Sequence, residues 1–101
     1  SQVICMEHIA LGENVMLSWD DLVMDSDFHP IREGTMEKPV SRPIMIGDDV
    51  WVGCRTTILK GCTVPDGCIV AANSTVTRAY QEEHCLITTS GVVKHNVFWK
   101  R

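Results

Sequence analysis

From residue 46 the chain divides into consecutive sixes: IGDDVW, VGCRTT, ILKGCT, VPDGCI, VAANST and VTRAYQ. The first position of each is aliphatic and β-branched: Ile46, Val52, Ile58, Val64, Val70 and Val76. Ile and Val fill 20 of the 101 positions, so six hits in one register arise by chance with odds on the order of one in a few thousand, all six registers allowed. The fifth position is mostly small (Val50, Thr56, Cys62, Cys68, Ser74, Tyr80), and the second carries Gly47, Gly53, Leu59, Pro65, Ala71 and Thr77. A period of six is neither 3.6 nor 2, which excludes an amphipathic helix and a plain half-buried strand.

Each six reads as a short strand plus a corner. A β-branched residue points inward, a small residue fits the corner, and Gly or a polar residue allows the bend. Stacked turns then bury a continuous column of Ile and Val, as solenoids do. The first part of the chain keeps the beat in another register, at Cys5, Leu11, Leu17 and Val23, with Ile9 and Val15 four residues after the first two. The next inward position is residue 29, a His, followed by PIREGTMEKPVSRP with three prolines and five charges. That composition predicts a loop, and loops this long in small domains carry function or are disordered. The expected organisation is one domain with first coils over 1–28, a histidine loop over 29–45, hexapeptide coils over 46–81 and a C-terminal segment over 82–101. In that last segment ITTSGVV reads as a strand and HNVFWKR as an apolar and basic tail.

Composition narrows the function. Nine basic against thirteen acidic residues give a net charge of −4, which argues against a nucleic-acid surface. No apolar run approaches the roughly 20 residues of a membrane span, and no signal-like segment opens the chain. The five cysteines show no C-x-x-C pair and read as reduced thiols in a cytoplasmic protein. Cys62 and Cys68 read as corner-packing residues. His8, His84 and His95 show no spaced cluster with acidic residues, so no metal is expected. Asn73-Ser74-Thr75 fits a glycosylation sequon but sits inside the repeat.

The repeat, the segment DSDFHPI, the stretch RPIMIGDDVWVGCRTTILKGCTVPDG and the run AANSTVTR resemble the hexapeptide-repeat acyltransferases. They are most similar to sugar O-acetyltransferases of the maltose, galactoside, capsule and lipopolysaccharide types. The likeness spans about residues 9 to 80. Where the family commonly ends in a GNPAK-like element, this chain has TTSGVVK. The resemblance implies an all-β fold, a left-handed parallel β-helix with an inserted loop and about three sixes per triangular coil. It also implies acetyl transfer from acetyl-CoA to a sugar hydroxyl in a homotrimer whose sites lie between neighbouring subunits. The chain opens inside a repeat, so it is expected to be the C-terminal part of a longer enzyme.

Such a reaction needs a base for the hydroxyl, a held thioester and donors for the oxyanion. The resemblance assigns the base to His29, whose imidazole titrates in the right range. Asp25 and Asp27 share a face with His29 in an extended strand. Either orients the ring or meets the sugar hydroxyls, or both are corner residues making local turns. Asn14 and Ser18, one coil earlier, are further candidates to face the substrate. For the acetyl-CoA groove the resemblance points to Trp51, Cys54, Ala72, Thr77 and Arg78. Trp51, at an outward position, packs against the pantetheine arm or a neighbouring subunit. Cys54 offers its backbone N–H to the oxyanion, Ala72 keeps a wall small, and Arg78 with Thr77 meets the CoA phosphates. Two other readings are N-acetylation of an amino sugar or a serine-type acceptor, and a non-catalytic β-helix trimer module.

Overall fold

The computed structural model describes residues 1–101, and its regular structure is entirely β. The first four strands are β1 (Gln2–Ile4), β2 (Ile9–Leu11), β3 (Met16–Leu17) and β4 (Leu22–Met24). After an excursion through β5 (Ile31–Glu33) and β6 (Met36–Lys38), the chain returns as β7 (Ile44–Ile46), β8 (Trp51–Val52) and β9 (Thr57–Ile58). It continues through β10 (Thr63–Val64), β11 (Ile69–Val70) and β12 (Thr75–Val76), and ends with β13 (Leu86–Thr88) and β14 (Gly91–Lys94).

Successive strands step through three sheets in turn. The first holds β1, β4, β9 and β12, the second β2, β7 and β10, and the third β3, β8, β11, β13 and β14. Val64 pairs with Ile46, Val70 with Val52 and Val76 with Ile58, all in parallel. Three sixes therefore make one turn around a triangular section, and the molecule is elongated, 46 × 24 × 20 Å. The inward column is the core: Val23, Ile46, Val52, Ile58, Val64, Val70, Val76 and Ile87 are all buried. Between them the fifth-position residues Val50, Thr56, Cys62, Cys68 and Ser74 are buried at the corners, where only a small side chain fits.

The corners turn by left-handed backbone, and they do so in register. Asn14, Asp49, Gly67 and His84 (φ 58°, 55°, 70° and 56°) stack along the edge between the second and third sheets. Asp20, Arg55 and Asn73 (57°, 55° and 61°) stack along the edge between the third and the first. Aspartates stitch neighbouring coils: Asp48 accepts the Glu13 N–H at 2.8 Å, and Asp66 accepts that of Asp48 at 2.7 Å.

Three expectations are corrected. Cys5 is exposed, and Val3 takes the inward place by pairing with Val23. The extra length of this coil is a turn over residues 5–8 that wraps a buried carboxylate. The stretch 29–45 is not an irregular loop: β5 and β6 form an antiparallel hairpin about Gly34 (φ 63°), and Ile44 already belongs to the core. A glycine at the first place of a two-residue turn matches the strand twist, and Pro30, Pro39 and Pro43 all lie outside the strands, where no ladder N–H is missed. The coil also continues beyond residue 81, since Ile87 stacks on Val70 before β13 turns back into β14.

Candidate functional site

The third-to-first edge carries an apolar groove of about 490 Å³, lined by Trp19, Trp51, Cys54, Ala72 and Leu86 among others. Its residues follow the inward column of the third sheet. Trp19, Cys54 and Ala72 each come two positions after Leu17, Val52 and Val70, which stack on one another. Coil spacing makes the groove tight. A Cβ on Gly53 would lie 2.6 Å from the Ala72 nitrogen, so only glycine lets these two turns approach. Asn73 N–H donates to the Cys54 carbonyl at 2.9 Å, which stacks Ala72 over Cys54. Gly53 and Arg55 spend their N–H groups on Val70 and Trp19, both at 2.8 Å, whereas the Cys54 N–H makes no backbone bond.

Trp51 is half-buried; its indole N–H donates to Ser18 Oγ at 3.3 Å, and its ring lies 6.0 Å from that of Trp99. Ser18 is held from below by Asp21, a buried carboxylate that accepts the N–H groups of Ser18 (2.8 Å) and Thr56 (2.9 Å). Burial pushes the Asp21 carboxyl up, against these two bonds. Trp19 is 81% exposed beside the groove.

His29 is exposed at the base of the β5–β6 hairpin. Asp27 lies beneath it, ion-paired with Lys60, whose ammonium also donates to the Pro39 carbonyl at 2.6 Å. Lys60 belongs to the turn between β9 and β10, so the hairpin rises from the edge between the first and second sheets. Thr77 and Arg78 are exposed on that same edge one coil later, with the Arg78 guanidinium beside Gly91. The structure therefore gathers Trp51, Cys54 and Ala72 on one edge, and His29, Asp27, Thr77 and Arg78 on the next. Within one chain the two sets do not meet.

Asp25 and Asn14 both make hydrogen bonds to neighbouring coils or to the C-terminal tail. Asp25 is fully buried and accepts the N–H groups of Met6, Glu7 and His8 at 2.7, 2.8 and 2.7 Å. Burial alone would raise its carboxyl, but these donors outweigh it and hold the group below its ordinary value. Asn14 sits on the second-to-third edge, donating to Asp49 and accepting from Arg101, both at 2.8 Å. Its partner belongs to the C-terminal tail, which runs back along this edge: Trp99 N–H donates to the Asp49 carbonyl at 2.6 Å, and Phe98 stacks on His84. The expectation for His95 is corrected, because the β13–β14 hairpin brings it to Glu82. Cys62 and Cys68 are buried at corners, as their repeat position predicts.

A coil of six-residue repeats with an apolar groove on one edge is similar to the hexapeptide-repeat transferases. Residues 43–78 match the bacterial transferase hexapeptide (six repeats) family model. The fold is also that of the polysialic acid O-acetyltransferase OatWY, with TM-score 0.86 and 30% identity over 92% of this chain and 46% of that one. The polysialic-acid-specific acetyltransferase NeuO gives TM-score 0.90 and 27% identity over 98% of this chain and 48% of its own. In sequence, the galactoside O-acetyltransferase of Escherichia coli (strain K12) is 29% identical over 69% of this chain and 35% of its length. The resemblance to hexapeptide-repeat acyltransferases read from the residues therefore holds, and the chain spans less than half the length of each of these relatives. No helix is long and apolar enough to cross a membrane.

Proposed function

We propose that this chain is part of an acetyl-CoA-dependent O-acetyltransferase acting on a sugar hydroxyl. The observation that carries the reading is the edge groove, where Trp51 and Ala72 wall an apolar slot and the Cys54 N–H stays free of backbone bonds. The slot suits the weakly polar pantetheine arm, and the free N–H suits the oxyanion of a tetrahedral intermediate. His29 takes the hydroxyl proton as the sugar oxygen attacks the thioester carbonyl. The C–S bond then breaks, and the proton passes to the departing CoA thiolate. Asp27 orients the hairpin base through Lys60, and Arg78 with Thr77 meets the CoA phosphates.

His29 and the groove occupy different edges, so the complete site needs a groove from one subunit and a histidine from its neighbour. This supports a homotrimer, the closed arrangement in which each edge pair is used once per subunit. The exposed Trp19 supports the same interface. The coil is left-handed in this reading, supported by the TM-score of 0.90 to NeuO. An acetyl-CoA donor and five free thiols support the cytoplasm as the compartment.

The test is acetyl transfer from acetyl-CoA to a panel of sugars by the full-length protein and its His29→Ala variant. We expect turnover on at least one sugar, reduced by about two to four orders of magnitude in the variant with unfolding unchanged. Near-normal transfer without His29 would remove it as the base.

A further inference from the structure

At the far end of the coil, away from both candidate edges, three side chains of different chemistry converge. Cys85 immediately precedes β13 and His95 immediately follows β14, so the antiparallel hairpin closes the two residues on each other. The turn before Cys85 adds Glu82. One sulfur, one ring nitrogen and one carboxylate oxygen lie within 4.8 Å of one another. His95 Nδ1 is 2.6 Å from Glu82 Oε2 and 3.8 Å from Cys85 Sγ. Cys85 is fully buried, while the His95 and Glu82 side chains are 59% and 58% exposed. The cluster thus has a closed floor and a mouth open to solvent.

A nucleophilic relay is the first use to consider, and the geometry opposes it. Such a relay needs the thiol on one ring nitrogen and the carboxylate on the other. Here both meet Nδ1, so the ring cannot pass a proton from one to the other. Mixed S, N and O donors around one point instead suit a borderline divalent cation. Zinc bonds of ~2.3 Å to sulfur and ~2.0–2.2 Å to nitrogen and oxygen, at tetrahedral angles, set S and N roughly 3.5 Å apart and N and O roughly 3.3 Å apart. The first spacing is nearly present. The second needs only a small outward swing of the exposed Glu82 side chain.

We propose that Glu82, Cys85 and His95 form a three-ligand site for a zinc-type divalent transition metal, with its fourth position open to water. On binding, the metal replaces the thiol proton, which leaves to solvent; His95 carries its remaining proton on Nε2, which frees Nδ1, and the Glu82–His95 hydrogen bond gives way to two metal bonds with no change of oxidation state. The Cys85 sulfur also lies 3.5 Å from the Glu83 carbonyl, which limits its rotation. The bound ion ties both ends of the β13–β14 hairpin to the last coil and so stabilises the end of the solenoid. Hard cations such as Mg²⁺ and Ca²⁺, which take oxygen ligands, are excluded by the sulfur.

The test is titration of Co²⁺, then Zn²⁺, into the chelator-stripped full-length protein. We expect one Co²⁺ per chain with a thiolate-to-cobalt charge-transfer band, displaced by Zn²⁺, and a higher melting temperature with Zn²⁺. His95→Ala and Glu82→Gln, at exposed positions that leave the core intact, each weaken Co²⁺ binding at least about tenfold. Cys85→Ser abolishes the band, whereas Cys5→Ser and Cys54→Ser leave it unchanged. No thiolate band at millimolar Co²⁺, or a band of unchanged affinity in both His95→Ala and Glu82→Gln, would overturn the site. Those two variants decide the matter even if Cys85→Ser does not fold.

Discussion

Replacing Asp25 by alanine should destabilise the protein strongly, because its carboxylate organises the turn that carries the chain from β1 to β2. Three backbone N–H groups donate to it, Met6 to Oδ1 and Glu7 and His8 to Oδ2, at 2.7 to 2.8 Å. Each hydrogen bond to a charged group is worth about 1.5–3 kcal/mol. Met6, Glu7 and His8 are exposed, so water recovers part of the loss once the carboxylate is gone. We therefore expect a loss of about 3–5 kcal/mol, the range for removing one partner of a buried charged pairing. Asp25→Asn should cost about half as much, since its carbonyl can keep the Glu7 and His8 bonds while its NH₂ faces the Met6 N–H. The contribution also has a pH signature. The folded-state carboxyl is held below its ordinary value of 3.8, so the stabilisation is full at neutral pH and is lost as the pH falls through that lowered value. Urea unfolding followed by circular dichroism at fixed protein concentration measures all three effects. A change of under 1 kcal/mol in Asp25→Ala would refute the argument.

Ile58→Ala should lower stability by about 2–5 kcal/mol, because Ile58 is fully buried between Val23 and Val76 in the first-sheet column; a shifted urea midpoint at constant slope reports it. Ala72→Leu should fill the slot over Cys54 and raise the Michaelis constant for acetyl-CoA while sparing that of the acceptor. Arg78→Glu should weaken CoA binding in calorimetry at low salt, with the difference shrinking as salt screens the phosphate contact.

The repeat was legible because each coil asks the same thing of each position. Ile46 through Val76 could be read as a core from their spacing, and the fifth-position residues as corners. The histidine hairpin was harder. Gly34 and Thr35 join strands too short and too exposed to show a buried alternation, and three prolines around them suggested a loop. The same insertion hid the phase relation between coils, and with it Trp19, which shares a column with Cys54 and Ala72. Once Leu17 is known to stack on Val52, that column can be read from the sequence. Sequence distance concealed the partners of Asp25, which lie on the preceding coil. The tail contacts of Trp99 and Arg101, and the meeting of His95 with Glu82, depend on the path of the chain after β14, and no local spacing encodes them.

The central claim is that one subunit's groove works with its neighbour's His29. Acetyl transfer by mixed assemblies of full-length His29→Ala and Ala72→Leu subunits tests it most directly, measured at limiting acetyl-CoA. Each variant alone should be poorly active. Refolded together in equal amounts, random pairing puts an intact groove against an intact His29 at about a quarter of the interfaces. The account predicts recovery to roughly a quarter of wild-type activity; activity that stays at the average of the two separate variants would contradict it.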